Sequence, residues 1–107
     1  MRKLCVITRH AATARILAQI FTGYEIEVRA HLKPDDIPNL PQIVAGVLPI
    51  PMIKQIIDSG REFYLFTVAV PAELRGKDLT ENELEKLHWT LHKIEKVEIK
   101  EIKKVEG

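Results

Sequence analysis

Two short stretches of this chain are apolar at every position. They are Leu4-Cys5-Val6-Ile7, inside Lys3–Thr8, and Ile43-Val44-Ala45, inside Gln42–Val47. A strand that shows apolar side chains on both faces must be covered on both, which is the situation of a central strand in a helix-flanked parallel sheet. The neighbouring sequence supplies the covers. Ala11–Thr22 places Ile16, Leu17, Ile20 and Phe21 at helical spacing, with Gly23 as a stop. Pro49-Ile50-Pro51 opens a second helix, where proline is tolerated in the first turn. Met52, Ile53, Ile56 and Ile57 form its apolar stripe, and Ser59-Gly60 ends it.

The remaining segments complete the pattern. Tyr24–Leu32 alternates, with Tyr24, Ile26, Val28 and Ala30 on one face and Glu25, Glu27, Arg29 and His31 on the other, as in an edge strand with one wet face. Lys33–Pro41 holds three prolines and reads as loop. Glu62–Val70 is rich in aromatic and β-branched residues and reads as a fourth strand. After a polar loop, Pro71–Leu79, Thr80 and Glu83 form a capping box, with Leu79 and Leu84 as its hydrophobic staple. A third helix is expected from there to about Glu95 on Leu84, Leu87, Leu91 and Ile94. The tail, 96–107, fits either a strand or a frayed helix. The expected fold is therefore α/β: a small three-layer domain over 1–95, with a mainly parallel sheet of about four strands and about three helices. Right-handed crossovers give the strand order 2-1-3-4. Ligands bind such sheets beyond the carboxyl ends of the strands, where the order reverses. The segments there are Thr8-Arg9-His10, Gly46–Pro49 and Pro71–Lys77.

Composition narrows the chemistry. With 107 residues, 46% hydrophobic and 29% charged, the chain has material for one core and is not a disordered segment. The net charge of +1 excludes blanket affinity for duplex nucleic acid. It is unevenly spread: residues 1–77 carry ten Lys/Arg against seven Asp/Glu, and 78–107 carry six against eight, so an anion site belongs to the first part. No apolar run approaches the ~20 residues of a membrane span, and the chain reads as soluble and cytoplasmic, without a membrane partner. Cys5 is the only cysteine and lies mid-strand, which suits a buried structural thiol. Ser59, the only serine, sits at a helix end, so a serine triad has no nucleophile. No Gly-x-Gly-x-x-Gly follows the first strand, and no Walker lysine is present. His88 and His92 lie one turn apart on the expected third helix but lack a third metal ligand, so they read as surface residues. Neither metal nor cofactor is expected. Trp89 falls opposite the stripe of that helix, facing a partner or the chain's own tail.

What remains is cationic. Arg9-His10 stands where a strand gives way to a helix N-terminus, whose N–H groups favour phosphate. Arg75-Gly76-Lys77 is a second cationic turn, with Gly76 allowing close backbone approach. The fold should bring both to one sheet edge, while His31 reads as a wet-face histidine nearby.

Arg9-His10, His31-Leu32, Gly46-x-Leu48-Pro49 and Pro71-Ala72-Glu73-Leu74-Arg75-Gly76-Lys77-x-Leu79-Thr80 follow in this order and spacing. Together they resemble small Csx-type CRISPR-associated proteins encoded beside type III CRISPR systems, over about residues 4–95. Ala12 stands where that family commonly has glycine. The resemblance implies a Rossmann-like, CARF-related fold and a homodimeric ring nuclease. Such a protein binds cyclic oligoadenylate, chiefly cyclic tetra-adenylate, and cleaves it without metal to switch off antiviral signalling. A ribose 2′-hydroxyl then attacks its own 3′-phosphate, and the protein need only position the ring, stabilise charge and protonate the leaving oxygen. Arg9, Arg75 and Lys77 suit the first two roles and His10 the third. Thr8, Ala11, Gly46, Leu48, Pro49, Pro71, Glu73 and Gly76 would contact the ligand. Two other readings stay open: a binder that sequesters the ring uncut, and an adaptor that uses the Trp89 face.

Overall fold

A computed structural model describes residues 2–69, 72–75, 83 and 86–103. Its centre is a five-stranded sheet in the order β2-β1-β3-β4-β5. Here β1 is Lys3–Ile7, β2 Glu25–Arg29, β3 Ile43–Gly46, β4 Glu62–Val68 and β5 Trp89–Ile94. The first four are parallel, and β5 runs antiparallel beside β4. The 2-1-3-4 order expected from right-handed crossovers is present, with one strand added at its end.

The alternation along β1 decides the layers. Leu4 and Val6 face one side, where Ala12, Ile16 and Leu17 of α1 (Ala11–Ile20) pack on them with Ile43, Ala45 and Phe66. Cys5 and Ile7 face the other, where Ile53 and Ile56 of α2 (Ile50–Asp58) pack with Val44 and Phe63. Leu4, Cys5, Val6 and Val44 have no exposed surface, as strands covered on both faces require. Burying each such aliphatic side chain is worth roughly 1.5–3 kcal/mol, so these two layers dominate the stability.

Three expectations need correction. The Lys33–Pro41 segment is not simply loop: Pro34–Asn39 is a 3-10 helix, and Ile37 and Leu40 are buried in the α2-side core. Their spacing of three matches the 3-10 period. The Arg61 side chain secures the segment, its Nε donating to the Leu40 carbonyl at 3.1 Å and its Nη2 to the Pro38 carbonyl at 3.1 Å.

The second correction concerns the C-terminal part of the expected third helix; Glu83 is helical, and residues 80–82, 84 and 85 lie outside the described residues. Trp89–Ile94 is a strand paired with β4 in the register Phe63↔Ile94 to Val68↔Trp89. Leu87, Trp89 and Leu91 share one face by alternation and pack half-buried against the α1-side core. Trp89 stacks on Phe66, with ring centroids 5.8 Å apart. It therefore packs on its own sheet, which leaves no outward tryptophan for an adaptor face. His88 and His92 are exposed, as expected, but along a strand four residues span about 13 Å, too far to share a metal. The tail from Glu95 to Lys103 follows β5 without regular structure.

The third is smaller. Only Glu25–Arg29 of the alternating segment pairs with β1, and at this sheet edge Val28 is 53% exposed. The expected capping box and staple lie outside the described residues at Thr80, Leu79 and Leu84.

Candidate functional site at the strand ends

All four parallel strands end at one cleft of about 660 Å³, within the range of small-molecule sites. The chain leaving β1 supplies Thr8, Arg9 and His10, and the chain leaving β2 supplies Ala30, His31 and Leu32. Val47, Leu48 and Pro49 come from the end of β3, and Phe66, Thr67 and Val68 from β4, with Ile7 and Thr13 behind. This is the place where the strand order reverses, between β1 and β3.

Local chemistry fixes the geometry. Gly46 has φ +141°, which an L side chain rarely adopts, and a Cβ there would collide with the backbone carbonyl of Ile7. Glycine thus lets β1 and β3 close up at their last rung, Ile7↔Gly46, before the chains part. The Thr8 N–H donates to the Arg29 carbonyl at 2.9 Å, extending the β1–β2 ladder one step beyond the strands. The His10 N–H donates to Thr8 Oγ1 at 3.1 Å, which fixes the turn into α1. His10 is the N-cap of α1, with extended backbone and no side-chain cap bond, and the first turn holds no acidic residue. The positive end of the helix dipole therefore faces the cleft without a built-in carboxylate. Pro49, on the opposite wall, is the N-cap of α2.

The electrostatics are one-sided. Among the described residues, no aspartate or glutamate lines the cleft, although the chain has fifteen. Arg9, His10 and His31 line it instead, with the hydroxyls of Thr8, Thr13 and Thr67 and an apolar floor that includes Leu48 and Phe66. Arg9 Nη2 lies 3.3 Å from His31 Nδ1. Such a cleft has groups to hold a phosphate and apolar surface to receive a base.

Of the residues singled out from sequence, Thr8, Arg9, His10, Leu48 and Pro49 line the cleft. Gly46 stands behind its wall. Ala11 opens α1 and is exposed without lining the cleft, and Ala12 is buried in the core. Glu73 and Arg75 lie at and just after a short 3-10 turn, Ala72–Leu74; both are exposed and neither lines the cleft. Pro71, Gly76 and Lys77 lie outside the described residues.

Sequence reasoning left three polar contributors out of the site. Alternation puts His31 on a wet face near the site, and only the β1–β2 register, with Ile7 opposite Arg29, sets it beside Arg9. Thr13 and Thr67 carried no distinguishing signal. Cys5 is fully buried in the α2-side core. Burial, aided by Glu27 and opposed by Arg29, pushes its thiol from 9.0 to about 11, so it is no nucleophile near neutrality.

Comparison with curated proteins and with solved structures returns no match in either set. Comparison with family models does: the family described as "Putative CRISPR-associated protein (Cas_VVA1548)" matches residues 5–97. That span takes in both core layers and every cleft-lining residue, and the chain belongs to this CRISPR-associated family.

Proposed function

We propose that this protein is a ring nuclease that binds and cleaves cyclic oligoadenylate, chiefly cyclic tetra-adenylate, and so switches off type III CRISPR signalling. The observation that carries the reading is a cleft lined by no carboxylate among the described residues, in which Arg9 and His10 meet the N-terminus of α1 at the point of strand reversal. Membership of a CRISPR-associated family sets the biological context.

The chemistry asks little of the protein. The ribose 2′-oxygen forms a bond to phosphorus as the bond from phosphorus to the 5′-oxygen breaks, giving a 2′,3′-cyclic phosphate and a free 5′-hydroxyl. The 2′-hydroxyl proton passes to solvent, and the 5′-oxygen takes a proton from the His10 imidazolium. Arg9 and the first N–H groups of α1 hold the phosphate oxygens and stabilise the added charge. Holding the ribose in line with the scissile bond supplies the rest of the acceleration.

A four-fold ring is larger than one cleft, and a two-fold dimer would present Arg9 and His10 twice to it. Val47, which lines the cleft, and Ile50, the first residue of α2, support this assembly: they are 61% and 59% exposed apolar side chains that a second copy would cover.

Incubating the protein with cyclic tetra-adenylate and chromatographing the products tests the proposal. Linear adenylates ending in 2′,3′-cyclic phosphate are expected. An intact ring that co-elutes with the protein would mean sequestration instead, and an intact ring that does not bind would refute the nucleotide reading.

A further inference from the structure

The β1–β2 register does more than close the sheet. Ile7 pairs with Arg29, so the residues two places beyond, Arg9 and His31, emerge side by side into the cleft. There Arg9 Nη2 lies 3.3 Å from His31 Nδ1. A guanidinium has only donors and keeps its proton at any ordinary pH. In this contact Nδ1 can only be the acceptor, which assigns the ring N–H to Nε2. A second proton, on Nδ1, would set an N–H against the guanidinium and break the contact.

We propose that His31 is a positioning residue of this cleft: it orients Arg9 through Nδ1 and donates Nε2–H to an oxygen of the bound nucleotide, without supplying a proton. The ligand half of the inference rests on the cyclic-nucleotide reading; the pairing with Arg9 does not. The two histidines then divide the work by hydrogen bonding. His10 is the residue that gives up a proton, and His31 accepts from Arg9 and donates Nε2–H. Holding Arg9 in place before the ligand arrives also removes an ordering cost from binding. Fixing one long side chain is worth up to about tenfold in affinity.

The first test uses the ligand-free protein. Long-range proton–nitrogen correlation, recorded above the ordinary histidine pKa of about 6.5, should show His31 protonated at Nε2 and bare at Nδ1. The Arg9→Ala variant should relax that preference. A proton on Nδ1 in the wild-type protein overturns the inference.

The second test measures binding of cyclic tetra-adenylate to His31→Ala and His31→Asn. The asparagine Oδ1 stands near the place of Nδ1 and can accept from Arg9, whereas alanine cannot. His31→Ala should weaken binding about tenfold or more, and His31→Asn should recover part of that loss. Adding Arg9→Ala should cost His31→Ala less than it costs the wild type, because the two side chains act together. An asparagine variant as weak as the alanine one, or strictly additive losses, overturns the pairing. If the wild-type protein does not bind the ring, the nucleotide reading and the ligand half fail, and the nitrogen shifts alone decide the pairing.

Discussion

The close approach of β1 and β3 at Gly46 offers a sharp test of how the cleft is built. At Gly46 two penalties for a side chain coincide: a φ of +141°, and an added Cβ that collides with the Ile7 carbonyl oxygen. Backbone strain in such a region costs about 1–3 kcal/mol. Overpacking against backbone that cannot swing away costs about 1–3 kcal/mol more, and Gly46→Ala should therefore destabilise by roughly 4 kcal/mol. Gly60 isolates the first penalty, since its φ is +88° but nothing lies within 4 Å of an added Cβ. Gly60→Ala should cost only about 1–2 kcal/mol. Urea unfolding followed by circular dichroism measures both. With a slope of about 2 kcal/mol per molar, the Gly46→Ala midpoint should fall by about 2 M, and that of Gly60→Ala by under 1 M. Two variants that agree within about 0.5 kcal/mol would refute the reasoning, because the β1–β3 contact would then carry no cost of its own.

Arg9→Ala should weaken binding of cyclic tetra-adenylate and flatten its dependence on log salt by about one unit, the signature of one lost phosphate contact. Titrating sodium chloride in a fluorescence-anisotropy assay reads both effects. Cleavage should persist in excess EDTA, and loss of activity restored by Mn²⁺ or Mg²⁺ would overturn the proposed mechanism. The raised Cys5 thiol makes a pH prediction. Below 9.0 the thiol is protonated whether the chain is folded or not, so its contribution to stability is constant there. Between 9.0 and about 11 only the unfolded chain loses the proton, so stability falls by roughly 2–3 kcal/mol as pH rises through that window. Denaturation of Cys5→Ala beside wild type across the window should show a shallower decline in the variant.

The layers of the fold are legible in β1, because four consecutive apolar residues, too short for a helix and stopped by Arg9-His10, fit a strand covered on both sides. Arg9 and His10 are legible for the same reason: the run stops at them, and a helix follows. His31 was harder. Alternation along β2 assigns it to the solvent face, and only the register with β1 shows that the chain beyond the strand turns beside Arg9. The segment ending in Ile94 is ambiguous. Leu84, Leu87, Leu91 and Ile94 fit helical spacing, but Leu87, Trp89 and Leu91 equally fit alternation. Nothing local says that the outer edge of β4 needs a partner, and that edge is what makes β5 a strand. The prolines of Lys33–Pro41 correctly excluded a long element. They hid the spacing of Ile37 and Leu40, which makes one 3-10 turn a plug for the core.

The central claim, that this cleft cleaves a cyclic nucleotide with His10 as the acid, is tested most directly by two measurements on one variant. Single-turnover cleavage of cyclic tetra-adenylate and affinity for the ring should be compared between wild type and His10→Ala. A positioned acid is worth about 10²–10⁴ in rate, or roughly 3–5 kcal/mol of barrier. The variant should lose that much cleavage while its affinity stays within a few-fold. Cleavage by the variant within about three-fold of wild type, against that expected 10²–10⁴ loss, would contradict the account.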